Sequence, residues 1–235
     1  MSIRGLFPID KWDFESESIL ADLPAEDMEL LMARRSDQVY KKGEVLFREG
    51  AYPTGIFYIT RGRAKKYKVD GDGREQIIYV ANTGELLGYH AILSQDNYPD
   101  SASVLEESAI TFIPREDFLE VVNRSAVLSK RLLKTLSHEF AVLANSLTLF
   151  AQRSVRERLA LQLIVIREKY KVNFEPGMPV EISMSRDDLA SLVGTARENV
   201  VRMLSEFKAE GTVETRGRKI IVLDVNRLIK IANYR

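Results

Sequence analysis

Eight of the 13 glycines stand between Gly43 and Gly88, at positions 43, 50, 55, 62, 71, 73, 84 and 88. Glycine reaches the positive φ that tight reversals require, so this spacing divides the segment from about Val39 to Ile113 into short pieces. The runs between the glycines, such as Ile56-Phe57-Tyr58-Ile59 and Gln76-Ile77-Ile78-Tyr79-Val80, read as strands. Asp70-Gly71-Asp72-Gly73, lying between two such runs, is a hairpin signal. Short strands with regular glycine turns predict a sandwich or barrel rather than a parallel sheet. Ahead of them, Leu23-Pro24-Ala25-Glu26-Asp27-Met28 opens a helix, with proline and acids in the turn where the macrodipole favours them.

The texture changes to helix from about Arg115 to Phe150. Leu133, Leu136, Phe140, Leu143, Leu147 and Phe150 are spaced 3, 4, 3, 4 and 3 residues apart, with no glycine or proline inside the run. That is an a/d seam. It reads either as a helix buried against its own domain or as the seam of a homodimer. A narrow a/d stripe wants a partner helix, which favours the dimer.

The third piece, from about Ser154 to Arg235, begins with an amphipathic helix over Val155–Tyr170 and a loop containing Pro176, Gly177 and Pro179. Ser185-Arg186-Asp187-Asp188 then opens a short helix with a capping-box-like start. Gly194 ends it, and Thr195-Ala196-Arg197-Glu198 repeats the N-terminal signature for a second helix through Val200, Met203, Leu204 and Phe207. Two capped helices joined through one glycine, with the small Ala190 at the crossing, form a helix-turn-helix pattern. Arg197, Glu198 and Arg202 lie at the front of the second helix, where arginine can bond guanine bidentately and glutamate can accept from cytosine. Thr212-Val213-Glu214 and Lys219-Ile220-Ile221-Val222 flank Thr215-Arg216-Gly217-Arg218, a β-hairpin with a basic tip placed to touch phosphates.

Composition bounds the function. A chain of 235 residues holds one large or two ordinary domains, and its 45% hydrophobic content supplies a sizeable core. With no cysteine, there are no disulfides, thiolate nucleophiles or cysteine-ligated clusters, and His90 and His138 are too few for a rich metal site. No metal site is expected. No run approaches the ~20 apolar residues of a membrane span, and the acidic N-terminal segment does not read as a secretory signal, so the expected location is cytoplasmic. Net charge is zero, but residues 154–235 hold 15 Lys/Arg against 11 Asp/Glu, leaving the first 153 residues at −4. No glycine-rich phosphate loop, GxSxG elbow or HExxH helix is present, so an enzyme is not expected.

The order of β-rich domain, long helix and winged helix-turn-helix resembles the cyclic-AMP receptor / fumarate-nitrate regulator (CRP/FNR) family. The resemblance is carried by Lys42-Gly43-Glu44-Val45-Leu46-Phe47-Arg48-Glu49-Gly50 and by the run Arg186 to Arg202, and it covers nearly the whole chain. It implies an α+β protein with an N-terminal double-stranded β-helix, a cyclic-nucleotide-binding-like jelly-roll, over residues 1–115. A dimerisation helix over 116–153 and a winged helix-turn-helix DNA-binding domain over 154–235 follow. By the same resemblance Arg197, Glu198 and Arg202 match base-reading positions, and Arg186 and Arg218 fall where the cyclic-AMP receptor branch contacts phosphate. A TGTGA-like half-site, a homodimer on double-stranded DNA and an RNA polymerase contact near the Lys171–Pro179 loop are implied too. Val201 replaces the family's usual small residue.

The ligand pocket departs from the family. Tyr89 stands at the position of the ribose-binding glutamate, and Asp100-Ser101-Ala102 stands where Arg-Ser-Ala would be. An aspartate facing a cyclic phosphate sets like charge against like, without the guanidinium clamp. Leu143 and Ala144 replace hydroxyls on the long helix. Cyclic AMP is therefore not expected. Glu85, Tyr89, Tyr98, Asp100, Ser101 and Leu143 form the candidate effector pocket. Haem through His90 has no visible second ligand, and no cofactor is expected; an unknown effector and a packed, empty β-roll both stay open. The expected function is a homodimeric DNA-binding transcription regulator. The alternative is a regulatory or scaffold protein that uses both domains for protein contacts.

Overall fold

The computed structural model describes residues 18–170 and 180–233, and the side chains of 145, 146 and 148–150 lie outside that description. The chain divides into two compact units, one spanning Ser16–Ala144 and the other built on Asn145–Arg235. No helix among the described residues is long and apolar enough to cross a membrane.

The first unit opens with α1 (Ala25–Met32), then β1 (Ser36–Tyr40), β2 (Val45–Phe47), β3 (Gly55–Arg61), β4 (Arg63–Val69) and β5 (Glu75–Asn82). It continues through β6 (Leu86–Leu87), α2 (Tyr89–Ser94), β7 (Ser101–Val104), β8 (Ser108–Pro114) and α3 (Arg115–Arg124). Two four-stranded antiparallel sheets result, in the orders β1-β8-β3-β6 and β2-β7-β4-β5. The glycine-punctuated texture is thus a two-sheet roll. In the β4–β5 turn, Asp70 Oδ1 accepts from the amides of Asp72 and Arg74, both at 2.9 Å, and Gly73 takes φ 79°. Phe47, Phe57, Ile59, Ala64, Tyr79, Val104 and Ile110 from both sheets form one core. A second core joins Leu31 of α1, Ile56, Ile92, Phe118 and Val121 of α3, and Leu128 and Leu132 of the helix that follows.

That helix, α4 (Ala126–Gln152), is 27 residues long. The helical stretch expected from Arg115 to Phe150 is therefore two helices. Ser125 breaks it with extended backbone, φ −95° and ψ 101°, and its Oγ accepts from the Leu128 amide at 3.4 Å. Because Phe118 and Val121 are fully buried in the roll's core, α3 belongs to the β-roll rather than to the long helix α4. Truncating a buried phenylalanine of this kind costs about 3–5 kcal/mol, so α3 is a structural part of the roll.

The second unit contains α5 (Val155–Lys169), β9 (Glu181–Ser183), α6 (Arg186–Val193), α7 (Arg197–Ala209), β10 (Val213–Arg216), β11 (Lys219–Val222) and α8 (Val225–Ile231). Ser154 and Glu157 form a reciprocal capping box at the start of α5. Sheet order is β10-β11-β9, so the wing hairpin carries a third strand that the alternation alone did not reveal. The expected Pro176-Gly177-Pro179 loop falls outside the described residues.

Candidate nucleic-acid interface and β-roll polar cluster

Helices α6 and α7 meet as a helix-turn-helix. Ser185 caps α6 by accepting from the Asp188 amide at 3.0 Å. Gly194 closes it in the left-handed region at φ 70°, its amide bonded to the Ala190 carbonyl at 2.9 Å. Arg158 of α5 donates to the carbonyls of Val193 at 3.0 Å and Gly194 at 3.1 Å, so a guanidinium clamps the turn. Nothing in the local motif announced that role, because Arg158 lies 35 residues upstream of Val193.

The second helix is not capped as expected. Its N-cap is Ala196, without a side-chain bond, and Thr195 Oγ1 instead accepts from Asn199 Nδ2 at 3.0 Å. Thr195 sits one position too early to reach the helix's free amides. Val200, Met203, Leu204 and Phe207 are buried, which turns Arg197, Glu198 and Arg202 outward, where all three are exposed. Arg197 Nε lies 3.4 Å from Asp187 Oδ1, and Arg202 reaches Asn199 Oδ1 at 3.3 Å and Glu206 Oε1 at 3.7 Å. These pairs are solvent-exposed and worth little, leaving the side chains available to another partner.

The hairpin of β10 and β11 turns through Gly217, at φ 57°, and the exposed Arg218. Arg186 donates to the Arg218 carbonyl at 3.2 Å and to the Gly217 carbonyl at 3.3 Å. It therefore fixes the wing tip against the start of α6, and partial burial lowers its pKa. Helix-turn-helix and wing thus share one unit, with α6 bonded to both α7 and the hairpin.

In the β-roll, a polar cluster lies under α4. Lys66, in the middle of β4, is buried, and its Nζ stands 2.8 Å from Glu139 Oε2 of α4 and 3.7 Å from Asp100 Oδ2. Tyr89 donates to Glu139 Oε1 at 2.8 Å, and His90 Nε2 lies 3.6 Å from Asp100 Oδ2. Among the described residues, both His90 nitrogens and Asp100 Oδ1 find no hydrogen-bond partner. Burial pushes the His90 imidazole down to about 4, helped by the Lys66 charge, so it is neutral at pH 7. Burial raises the Asp100 carboxyl against the opposing pull of Lys66. For Glu139 burial acts upward, but Lys66 and the Tyr89 hydroxyl outweigh it and hold the carboxyl below its usual range.

Of the expected pocket residues, Tyr89 and Asp100 join this cluster. The others are committed elsewhere. Ser101 Oγ accepts from the Glu49 amide at 2.9 Å. Tyr98 stacks on Phe47 and donates to the Gly55 carbonyl at 2.9 Å, and Glu85 accepts from the Tyr79 hydroxyl at 2.6 Å. Leu143 faces outward and is half exposed, so it belongs to the α4 stripe and not to the cluster. No motif in the sequence singles out Lys66 or Glu139. A cation does stand in this pocket, but two carboxylates already surround it.

On α4 the seam is split. Leu133, Phe140, Leu143 and Leu147 are exposed, whereas Leu136 packs into the roll's own core beside Leu132. The Phe150 side chain lies outside the described residues. Among the described residues, no three His, Asp or Glu side chains are grouped as metal ligands.

Comparison with known proteins agrees with this architecture. Residues 37–125 match the cyclic nucleotide-binding domain family, and residues 157–231 match the Crp-like helix-turn-helix domain family. A transcriptional activator protein, anr, of Pseudomonas aeruginosa is 27% identical over 89% of this chain and 86% of its own length. An anaerobic regulatory protein of Haemophilus influenzae is 27% identical over 81% of this chain and 74% of its own. In fold, the chain is similar to FixK2 from Bradyrhizobium japonicum, with a TM-score of 0.74, 21% identity, and coverage of 84% of this chain and 96% of that one. The first of these is named as a transcriptional activator and the second as a regulatory protein, and neither name denotes an enzyme. With both domain families matched in order across most of its length, the chain belongs to the CRP/FNR family of DNA-binding transcription regulators.

Proposed function

We propose that the protein acts as a homodimer on a palindromic DNA operator, and that its β-roll does not respond to cyclic AMP. The observation that carries the second part is the Lys66–Glu139–Asp100 cluster. A cyclic phosphate entering it would meet two carboxylates and a lysine already bonded to one of them at 2.8 Å. Displacing Glu139 from Lys66 would strand a buried charge, which costs several kcal/mol. The residues present do not fit a cyclic nucleotide. Haem fits no better, because His90 Nε2 faces the Asp100 carboxylate. A cysteine-ligated cluster has no ligands in this chain.

The dimer rests on Leu133, Phe140 and Leu147, which recur every seven residues on the exposed face of α4. Two such stripes in contact bury what one leaves in water. In the paired molecule each α7 enters a major groove, Arg197, Glu198 and Arg202 read base edges, and Arg218 holds phosphate. Arg186 supports the wing and takes a phosphate with its remaining N–H groups. RNA polymerase is a further partner, supported by a relative named as a transcriptional activator. Work on chromosomal DNA places the protein in the cytoplasm.

The test is selection of bound sequences from a random duplex library, followed by mobility shift with and without cyclic AMP. A palindrome bound equally in both conditions is expected. Binding that requires cyclic AMP overturns the effector reading, and recovery of single half-sites overturns the dimer.

A further inference from the structure

One aliphatic side chain on α7, Val201, stands outside the helix's buried face. At about 100° per residue, Val201 falls about 40° from Arg197 and about 60° from Glu198 around the helix, inside the arc that Arg202 closes. The buried side of the helix is made by Val200, Met203, Leu204 and Phe207, whereas Val201 is 45% exposed. A β-branched residue gives up rotamer freedom in a helix, and at 45% exposure burial offsets only part of that loss. Its carbonyl accepts from Ser205 Oγ at 3.0 Å, a local bond that leaves the two methyl groups at the surface.

The major groove offers one apolar group, the 5-methyl of thymine. Against any other base edge, valine would leave a desolvated donor or acceptor without a partner. We propose that Val201 is a specificity-determining residue that reads a thymine methyl between the bases addressed by Arg197 and Glu198 and the base addressed by Arg202. The assignment rests on the DNA-reading role of α7. It adds a thymine requirement that the three polar side chains do not impose.

Replacing thymine by deoxyuridine removes the methyl and keeps every hydrogen-bonding group, so it isolates the contact. The full-length chain is used to select a duplex from a random library, and each thymine of that duplex is then replaced singly by deoxyuridine. At one thymine in each half-site, wild-type affinity falls about three- to fivefold, the size expected for one lost methyl contact. Val201→Ala binds the thymine and deoxyuridine duplexes equally. Indifference of the wild type at every thymine, or an undiminished loss in Val201→Ala, overturns the proposal while leaving DNA reading intact. Failure to select any preferred duplex overturns DNA reading itself, and this proposal with it. Because Val201 points away from the core, an unchanged thermal melt shows that Val201→Ala is folded.

Discussion

Arg202 and Arg218 are both exposed arginines of the second unit, yet the proposed interface gives them different work. In that interface Arg202 would reach base edges from α7, and its loss to alanine should cost about 1–3 kcal/mol on the selected operator and relax specificity at one base pair. Arg218 sits at the hairpin tip, so Arg218→Ala should weaken all sequences alike and lower the salt slope of log K by about 1. Titrations of both variants on specific and scrambled duplexes at several salt concentrations separate the two; equal behaviour would remove the distinction. His90 carries a different prediction. Its folded-state pKa, near 4, lies below the ordinary value of 6.5, so the unfolded chain binds the proton first as pH falls. Stability is therefore full above about pH 6.5 and declines by roughly 3 kcal/mol as pH falls through the window to 4. Urea midpoints of wild type and His90→Gln across that window should converge toward acid, and parallel curves would show that His90 is not buried as a neutral base. Lys66 shows why this cluster was hidden. In the run Arg63-Ala64-Lys65-Lys66-Tyr67 a lysine reads as solvent-facing, and its burial is made tolerable by Glu139, 73 residues away, and by Asp100.

Local signals made α6 and α7 legible, since Ser185, Gly194 and the buried Leu189, Val193, Val200 and Leu204 all act within a few residues of one another. The same reasoning overreached at Thr195, where one residue of offset turned an expected cap into a partner for Asn199. On α4 the seam spacing was legible, but it could not tell which of its leucines turn inward. The structure assigns Leu136 to the roll's core and leaves Leu133, Phe140, Leu143 and Leu147 outside. Phe140→Asp with Leu147→Asp should therefore yield monomers in sedimentation equilibrium, with little change in the thermal melt of the folded chain. Leu136→Asp should instead unfold or strongly destabilise the roll, because it puts a charge into an apolar core. A dimer that survives the first pair places the interface elsewhere.

At the scale of the whole molecule, two-sheet roll, long helix and winged head follow in an order that glycine spacing, heptads and capping residues each suggested separately. What pattern alone could not supply was the join between them. The break at Ser125 assigns α3 to the roll, and that assignment depends on Phe118 and Val121 packing against residues far away in sequence. A homodimer reading a palindrome carries a phase requirement, with half-site centres about one helical turn apart. Inserting about five base pairs between half-sites should reduce affinity to that of a single half-site, and inserting about ten should restore part of it. Mobility shifts on the three duplexes check this, and indifference to spacing would mean that the two heads are not held together.

The Lys66–Glu139 pair also limits how this chain can change over generations. Losing one partner leaves the other charge buried at a cost of about 3–5 kcal/mol, a large share of the roughly 5–15 kcal/mol that holds a typical domain together. Replacing both by apolar residues comes close to neutral once Asp100 and Tyr89, which also face the pair, lose their polar groups too. Each single step therefore crosses a valley, and descendants of this sequence should carry both charges or neither.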